Sequence, residues 1–139
     1  MNFDLNAKEL YTGNTAFHLA CNNSNSKIVE MLIKKSTEFN IDLNAKDVFG
    51  ETAFHHACRN GHSLIVETLI QNSTEFNIDL NAITKQDGYT PFHIACLWGG
   101  KKIIKIMMDN AKVFKLNLMK KDNYGRTGFQ CAKYRGHNY

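Results

Sequence analysis

Apolar and polar residues alternate in this chain in two helical patterns, and the pair of patterns returns along its length. The first is a short block: TAFHLAC at residues 15–21, TAFHHAC at 52–58, TPFHIAC at 90–96 and a weaker TGFQCAK at 127–133. In each, the Phe and the Ala three positions later fall on one helical face. Thr15, Thr52 and Thr90 suit the N-cap, and Pro91 suits the first helical position. The second pattern is Ile28, Val29, Leu32, Ile33, then Ile65, Val66, Leu69, Ile70, then Ile103, Ile104, Met107, Met108. Its i, i+1, i+4, i+5 spacing predicts an amphipathic helix with Glu30, Lys34 and Lys35 facing outward. Polar turns join the two helices, and the glycines at 61, 99 and 100 suit a helix C-cap.

A third segment follows each second helix. STEFNIDLNA stands at 36–45 and again, letter for letter, at 73–82. Phe39, Ile41 and Leu43 alternate as in an extended stretch packed on one side, as do Phe76, Ile78, Leu80 and Phe114, Leu116, Leu118. The segment is read as a lengthened helix end and a loop pinned by the Phe. Gly13, Gly50, Gly88 and Gly125 then mark turns at steps of 37, 38 and 37 residues. A fixed period in that range is the signature of a stacked repeat array. Helices this short do not persist alone in water, so each must be covered by its neighbours.

The unit T-x-F-H-x-A-C, then Gly-His, an apolar run and D-L-N-A resembles the ankyrin repeat, with Phe where that family usually has Leu. The unit is four or five residues longer than the common one of about 33. The resemblance covers nearly the whole chain. It implies an all-α, ankyrin-type solenoid of stacked helix–turn–helix repeats with short β-hairpin loops. It also implies one domain over 1–139, with repeats near 13–49, 50–87 and 88–124, a partial one at 125–139, and 1–12 as the hairpin half of a preceding repeat. In the last unit Gly128, Gln130 and Lys133 replace Ala or Pro, His and Cys. A polar end cap and an array that continues past Tyr139, where a second helix is due, are both open.

Composition changes this picture little. Apolar residues are 43% and charged residues 22%, ordinary values for a globular chain. No apolar run nears the roughly 18 residues that span a bilayer. MNFDLNAKEL lacks the pattern of a secretory signal, so the cytoplasm, or else the nucleus, is the expected setting. Charge is more telling: residues 99–139 carry ten Lys/Arg against two Asp, while the formal total is +4. That basic third is either a solvated lysine face or a surface for an anionic partner. Its lysines are not interleaved with aromatics, so nucleic acid is not an expected partner.

Candidate chemistry is sparse. Cys21, Cys58 and Cys96 share one repeat position, and stacked helices about 8–10 Å apart place them beyond the roughly 7 Å limit for a disulfide. They are expected buried and reduced, as small apolar residues. His18, His55 and His93 also recur once per repeat. In ankyrin repeats the matching His bonds the Thr three residues earlier, which implies a structural role rather than a metal site, whose ligands must converge. No nucleophile–base set or glycine-rich phosphate loop stands out, so neither catalysis nor a cofactor is expected.

Binding remains. Ankyrin arrays present hairpin tips and first helices on a concave side, which implies a protein partner there. First-helix positions that differ between copies are Leu19, His56, Ile94, Cys131, then Asn22, Arg59, Leu97, Tyr134, then Asn23, Asn60, Trp98, Arg135. Where packing dictates a residue the copies agree, so these positions and the tips are the candidate contacts. Tyr11, Phe49, His56, Arg59, Tyr89, Trp98 and Tyr124 form the set, chiefly aromatic and Arg residues of the kind that dominate interfaces. Asn44 and Asn81, in D-L-N-A, resemble asparagines that are hydroxylated in some ankyrin repeats. The chain is expected to be a monomer or part of a longer array. A scaffold or regulatory segment of a larger protein is the alternative, and electrostatic capture of an anionic partner by the basic third is another.

Overall fold

Four threonines set the helix starts. Thr15, Thr52, Thr90 and Thr127 hold extended backbone, with φ between −90° and −76° and ψ between 166° and 173°. Each hydroxyl accepts the N–H three residues on, while its own N–H donates to the side chain there. This reciprocal box satisfies two of the N–H groups a helix start leaves open.

The computed structural model describes residues 4–136; residues 1–3 and 137–139, including the chain end where another helix is expected, lie outside the described residues. The elements are α1 (Ala16–Asn22), α2 (Ser26–Lys34), α3 (Ala53–Asn60), α4 (Ser63–Gln71), α5 (Ser73–Phe76), α6 (Pro91–Ile94), α7 (Lys101–Phe114) and α8 (Gly128–Tyr134). A π turn, Ala95–Gly99, carries α6 onward. α1, α3, α6 with its π turn, and α8 pack as one row; α2, α4 and α7 pack as a second. The fold is all-α, as the resemblance implies.

The hairpin loops are turns, with no strand among the described residues. Only single backbone bonds join neighbouring tips: Val48 N–H to Thr12 O, Lys85 N–H to Phe49 O and Asn123 N–H to Asp87 O, at 2.9–3.0 Å. One bond per tip cannot make a ladder. It does require close approach, and a Cβ on Gly50 would lie 2.8 Å from Lys85 N.

Burial follows the neighbours. In the middle helix α4, Ile65, Val66, Leu69 and Ile70 are at most 1% exposed. In α2, Val29 and Ile33 are buried but Ile28 is 42% exposed; in α7, Ile103 and Met107 are buried but Met108 is 49% exposed. Ile28 and Met108 sit on flanks with no further helix beside them among the described residues. This is nearest-neighbour stabilisation read as exposure.

The lengthened segment corrects one expectation. Its helix end is longer, as α5 and the tail of α7 show, but Phe39 does not pin the loop: it is 55% exposed. Asn40, Asn77 and Lys115 take left-handed φ of 53°, 54° and 58°. The next residue then bonds back five positions, Ile41 to Ser36 O, Ile78 to Ser73 O and Leu116 to Ala111 O, at 2.8–3.0 Å. That is a Schellman stop, whose second residue beyond the helix packs inward. Ile78 and Leu116, each 7% exposed, are the anchors, and the Phe before each turn is only half-buried.

At Gly99 a Cβ would collide with the Cys58 carbonyl oxygen, so the π turn and α3 touch backbone to backbone. The turn carries Trp98, half-exposed, out toward the hairpin side.

Because α4 is covered on both flanks, Leu69→Ala should destabilise the protein by about 3 kcal/mol or more. Leu32→Ala, at a half-buried position of α2, should lose less than half of that. Urea unfolding of both variants checks this; equal losses would contradict neighbour-dependent burial.

Candidate functional site

The histidines come first, because three of them, the recurring His18 and His93 together with His56, lie in groups able to suggest a metal. His18, Asp47 and His56 gather, as do His93, Asp122 and Cys131, with donor atoms within 4.8 Å of one another in each group. The recurring histidines do not meet each other; the Asp partners went unanticipated. Nor do the groups fit a metal. His18 Nδ1 receives the Thr15 N–H at 3.0 Å, and Nε2–H donates to Glu51 O at 2.9 Å. His93 is used the same way, by Thr90 N–H and Arg126 O. A zinc ligand needs an unengaged imidazole nitrogen, and neither the His18 nor the His93 ring retains one; His56, with Nε2 on Asp47 Oδ2 at 2.9 Å, is left with no second free histidine. In the middle copy Thr84 and Ile94 stand where the others have Asp and His or Cys, and no third group forms among the described residues.

Burial fixes the protonation of these groups. Desolvation lowers the pKa of His18 and His93 and brings that of His55 down to about 4. Desolvation raises Cys21 and Cys96 to about 12 and Cys131 to about 11. Thiols held protonated this way are poor nucleophiles. All four cysteines are unpaired and buried.

The hairpin side offers a groove between the second and third tips, walled by Phe49, Arg59, Lys85, Asp87, Tyr89 and Trp98. Arg59 grips Glu51 with both Nη atoms and lies over the Trp98 ring, 5.5 Å from its centroid. Arg135, from the end of α8, lies over the same ring at 5.5 Å. Tyr89 meets Trp98 edge-on at 6.4 Å and stacks on His93 at 5.7 Å. Arg126 bonds Asp122 Oδ2 and the Tyr89 hydroxyl, and lies over Tyr124 and Tyr134 at 5.0 and 5.7 Å. The result is a continuous arginine–aromatic surface whose side chains already hold one another.

Of the sequence candidates, Phe49, Arg59, Tyr89 and Trp98 wall this groove, and Tyr124 adjoins it through its hydroxyl, 2.7 Å from Asp87 Oδ1. Tyr11, on the first hairpin, is 82% exposed and stands outside the groove. His56 is a correction. It is 9% exposed, with Nε2 2.9 Å from Asp47 Oδ2 and its ring edge-on to His18, so it supports the second hairpin instead of presenting a contact. The first-helix position it occupies faces the buried Asp of its own hairpin. Asn14, beside it in the shallower groove between the first two hairpins, keeps a buried Oδ1 without a partner among the described residues. Arg126 and Lys85 were missed in the sequence; Tyr134 and Arg135 were visible only as positions that vary between copies.

Asn44 and Asn81 lie on the far side of the loops. Asn44 donates to Asn77 O and accepts from Asp79 N–H; Asn81 does the same with Lys115 O and Asn117 N–H, at 2.7–2.9 Å. Asn6 opens the series with Asn40 O and Asp42 N–H. Each amide ties its loop to the left-handed turn of the next.

A family model described as ankyrin repeats (3 copies) matches residues 1–82, and one described as ankyrin repeat matches residues 87–118. No curated protein matches the chain significantly. No helix among the described residues is long and apolar enough to cross a membrane.

The histidines give a pH prediction with a definite sign. His55 titrates at about 4 in the folded chain, below the ordinary value of 6.5. The unfolded chain therefore binds more protons between those values, and stability falls as pH drops through that window. The shift corresponds to roughly 3 kcal/mol for His55. His55→Gln, which copies the Thr127–Gln130 pairing, should be less stable at neutral pH and show a shallower loss between about pH 6.5 and 4. Urea midpoints across that range decide it; an unchanged slope would contradict a buried, neutral His55.

Proposed function

The chain belongs to the ankyrin repeat family, and from that premise we propose that it recognises a protein partner through its hairpin tips and first helices, without catalysis or a cofactor of its own. Family membership makes protein interaction the general role. The preformed arginine–aromatic groove is the observation that supports this face as the place. Trp98 and Phe49 are its anchors, being large and 46% and 66% exposed, with Trp98 set beside an Arg59 that Glu51 already pairs. Residues 1–139 act in this reading as one repeat domain, alone or within a longer array. Its setting is the cytoplasm or nucleus, and its contacts are with protein and not with nucleic acid.

A second reading has an observation of its own. The excess of Lys and Arg after residue 98 suits electrostatic capture of an anionic partner. Binding that weakens steeply with salt and shows no selectivity would belong to that reading. Asn44 and Asn81 remain proposed sites of hydroxylation, tested by intact mass after co-expression with an asparaginyl hydroxylase.

Peptides selected from a random display library on the full chain test the main proposal. Trp98→Ala and Phe49→Ala should each weaken the winners by about 2 kcal/mol, near thirtyfold. Met31→Ala and Leu64→Ala, on exposed positions of the second helices, should leave affinity unchanged. Winners indifferent to Trp98 and Phe49 would remove this face from the account.

A further inference from the structure

The charged groups along the groove divide into matched and unmatched ones. Arg59 is matched by Glu51, and Arg126 by Asp122. Lys85 and Arg135 have no carboxylate partner among the described residues. Against them stands one unmatched carboxylate, Asp87, whose Oδ1 accepts from the neutral Tyr124 hydroxyl at 2.7 Å. With Arg135 beside it, the groove therefore meets two unmatched cations against one unmatched carboxylate.

Arg135 is also pre-set. Its guanidinium lies over Trp98, a ring steadied on its other contacts by Tyr89 and Arg59. Among the described residues the Arg135 guanidinium makes no hydrogen bond or ion pair, which leaves the N–H fork available to receive a carboxylate two-handed. Little side-chain freedom remains to be lost on binding. Beside this fork lie Phe49 and Val48, 66% and 43% exposed, an apolar shelf at the second hairpin tip. Trp98 links the two: its ring walls the groove together with Phe49 and Val48, and Arg135 lies over that ring.

We propose that the groove takes an extended acidic segment of a partner protein: an Asp or Glu side chain seats on Arg135 and Lys85, and a neighbouring large apolar residue lies against Phe49 and Trp98. This deepens the function proposed above and rests on it. A polyphosphate backbone is the less suitable occupant. Asp87, the one carboxylate there without a cation partner among the described residues, repels a continuous line of phosphates while tolerating one well-placed carboxylate.

The display library on the full chain carries the test, with the single tryptophan, Trp98, reporting binding by its fluorescence. Winning peptides should be enriched in Asp or Glu next to Phe, Trp, Leu or Ile. Synthetic winners should bind Arg135→Gln about tenfold or more weakly, with Arg135→Lys in between, since it keeps the charge and loses the fork. Oligothymidylate should not displace them. Winners without acidic enrichment, unchanged affinity in Arg135→Gln, or displacement by oligothymidylate would overturn the proposal. Winners that need Phe49 and Trp98 but not Arg135 would sink this inference alone. Winners indifferent to all three would sink the face proposed above as well. Urea midpoints of the Arg135 variants confirm that a loss of binding is not a loss of fold.

Discussion

One hydrogen bond from a buried histidine joins each repeat to the next: the Nε2–H of His18, His55 and His93, each donating to the carbonyl that immediately precedes the next repeat's capping threonine. Those carbonyls belong to Glu51, Tyr89 and Arg126, at 2.8–2.9 Å. Because Nδ1 of the same ring takes the N–H of its own cap, one imidazole fixes a helix start and the spacing to its neighbour together. A neutral ring in a single tautomer satisfies both bonds, and burial keeps it neutral. Gln130 closes its own cap, and among the described residues its side chain makes no onward bond.

The rest of the architecture follows from holding the first helices in register. With α1, α3, α6 and α8 in line, the second helices seal one another, and the hairpin tips come within one backbone bond of their neighbours. The loops on the opposite edge are joined by a parallel device, the amides of Asn6, Asn44 and Asn81 reaching the next left-handed turn. Side chains free of these duties differ from copy to copy, and they gather on the hairpin side. There Trp98, Tyr89, Tyr124 and Tyr134 stack with Arg59, Arg126 and Arg135, while Glu51 and Asp122 hold two of the three arginines in place.

Much of this was legible in the chain because it repeats. The caps, both helices of each unit and the buried cysteines follow from TxFHxAC and the i, i+1, i+4, i+5 stripe, which have direct helical meaning. The Phe39 pin failed because a period-two pattern was read where the chain makes a left-handed helix stop. Asn40, Asn77 and Lys115 give no glycine to mark that turn. His56 was misplaced for a related reason: variation between copies signals freedom from the common packing, and here a private partner, Asp47, had taken the position. Arg126 was invisible for lack of a pattern, since its role depends on rings from three separate segments.

The most direct measurement is the ring-nitrogen NMR spectrum of the histidines. The account predicts that His18, His55 and His93 carry the proton on Nε2 alone at neutral pH, and that His55 remains neutral to near pH 4. Imidazolium at His55 near pH 6, or protonation on Nδ1 in any of the three, would contradict it.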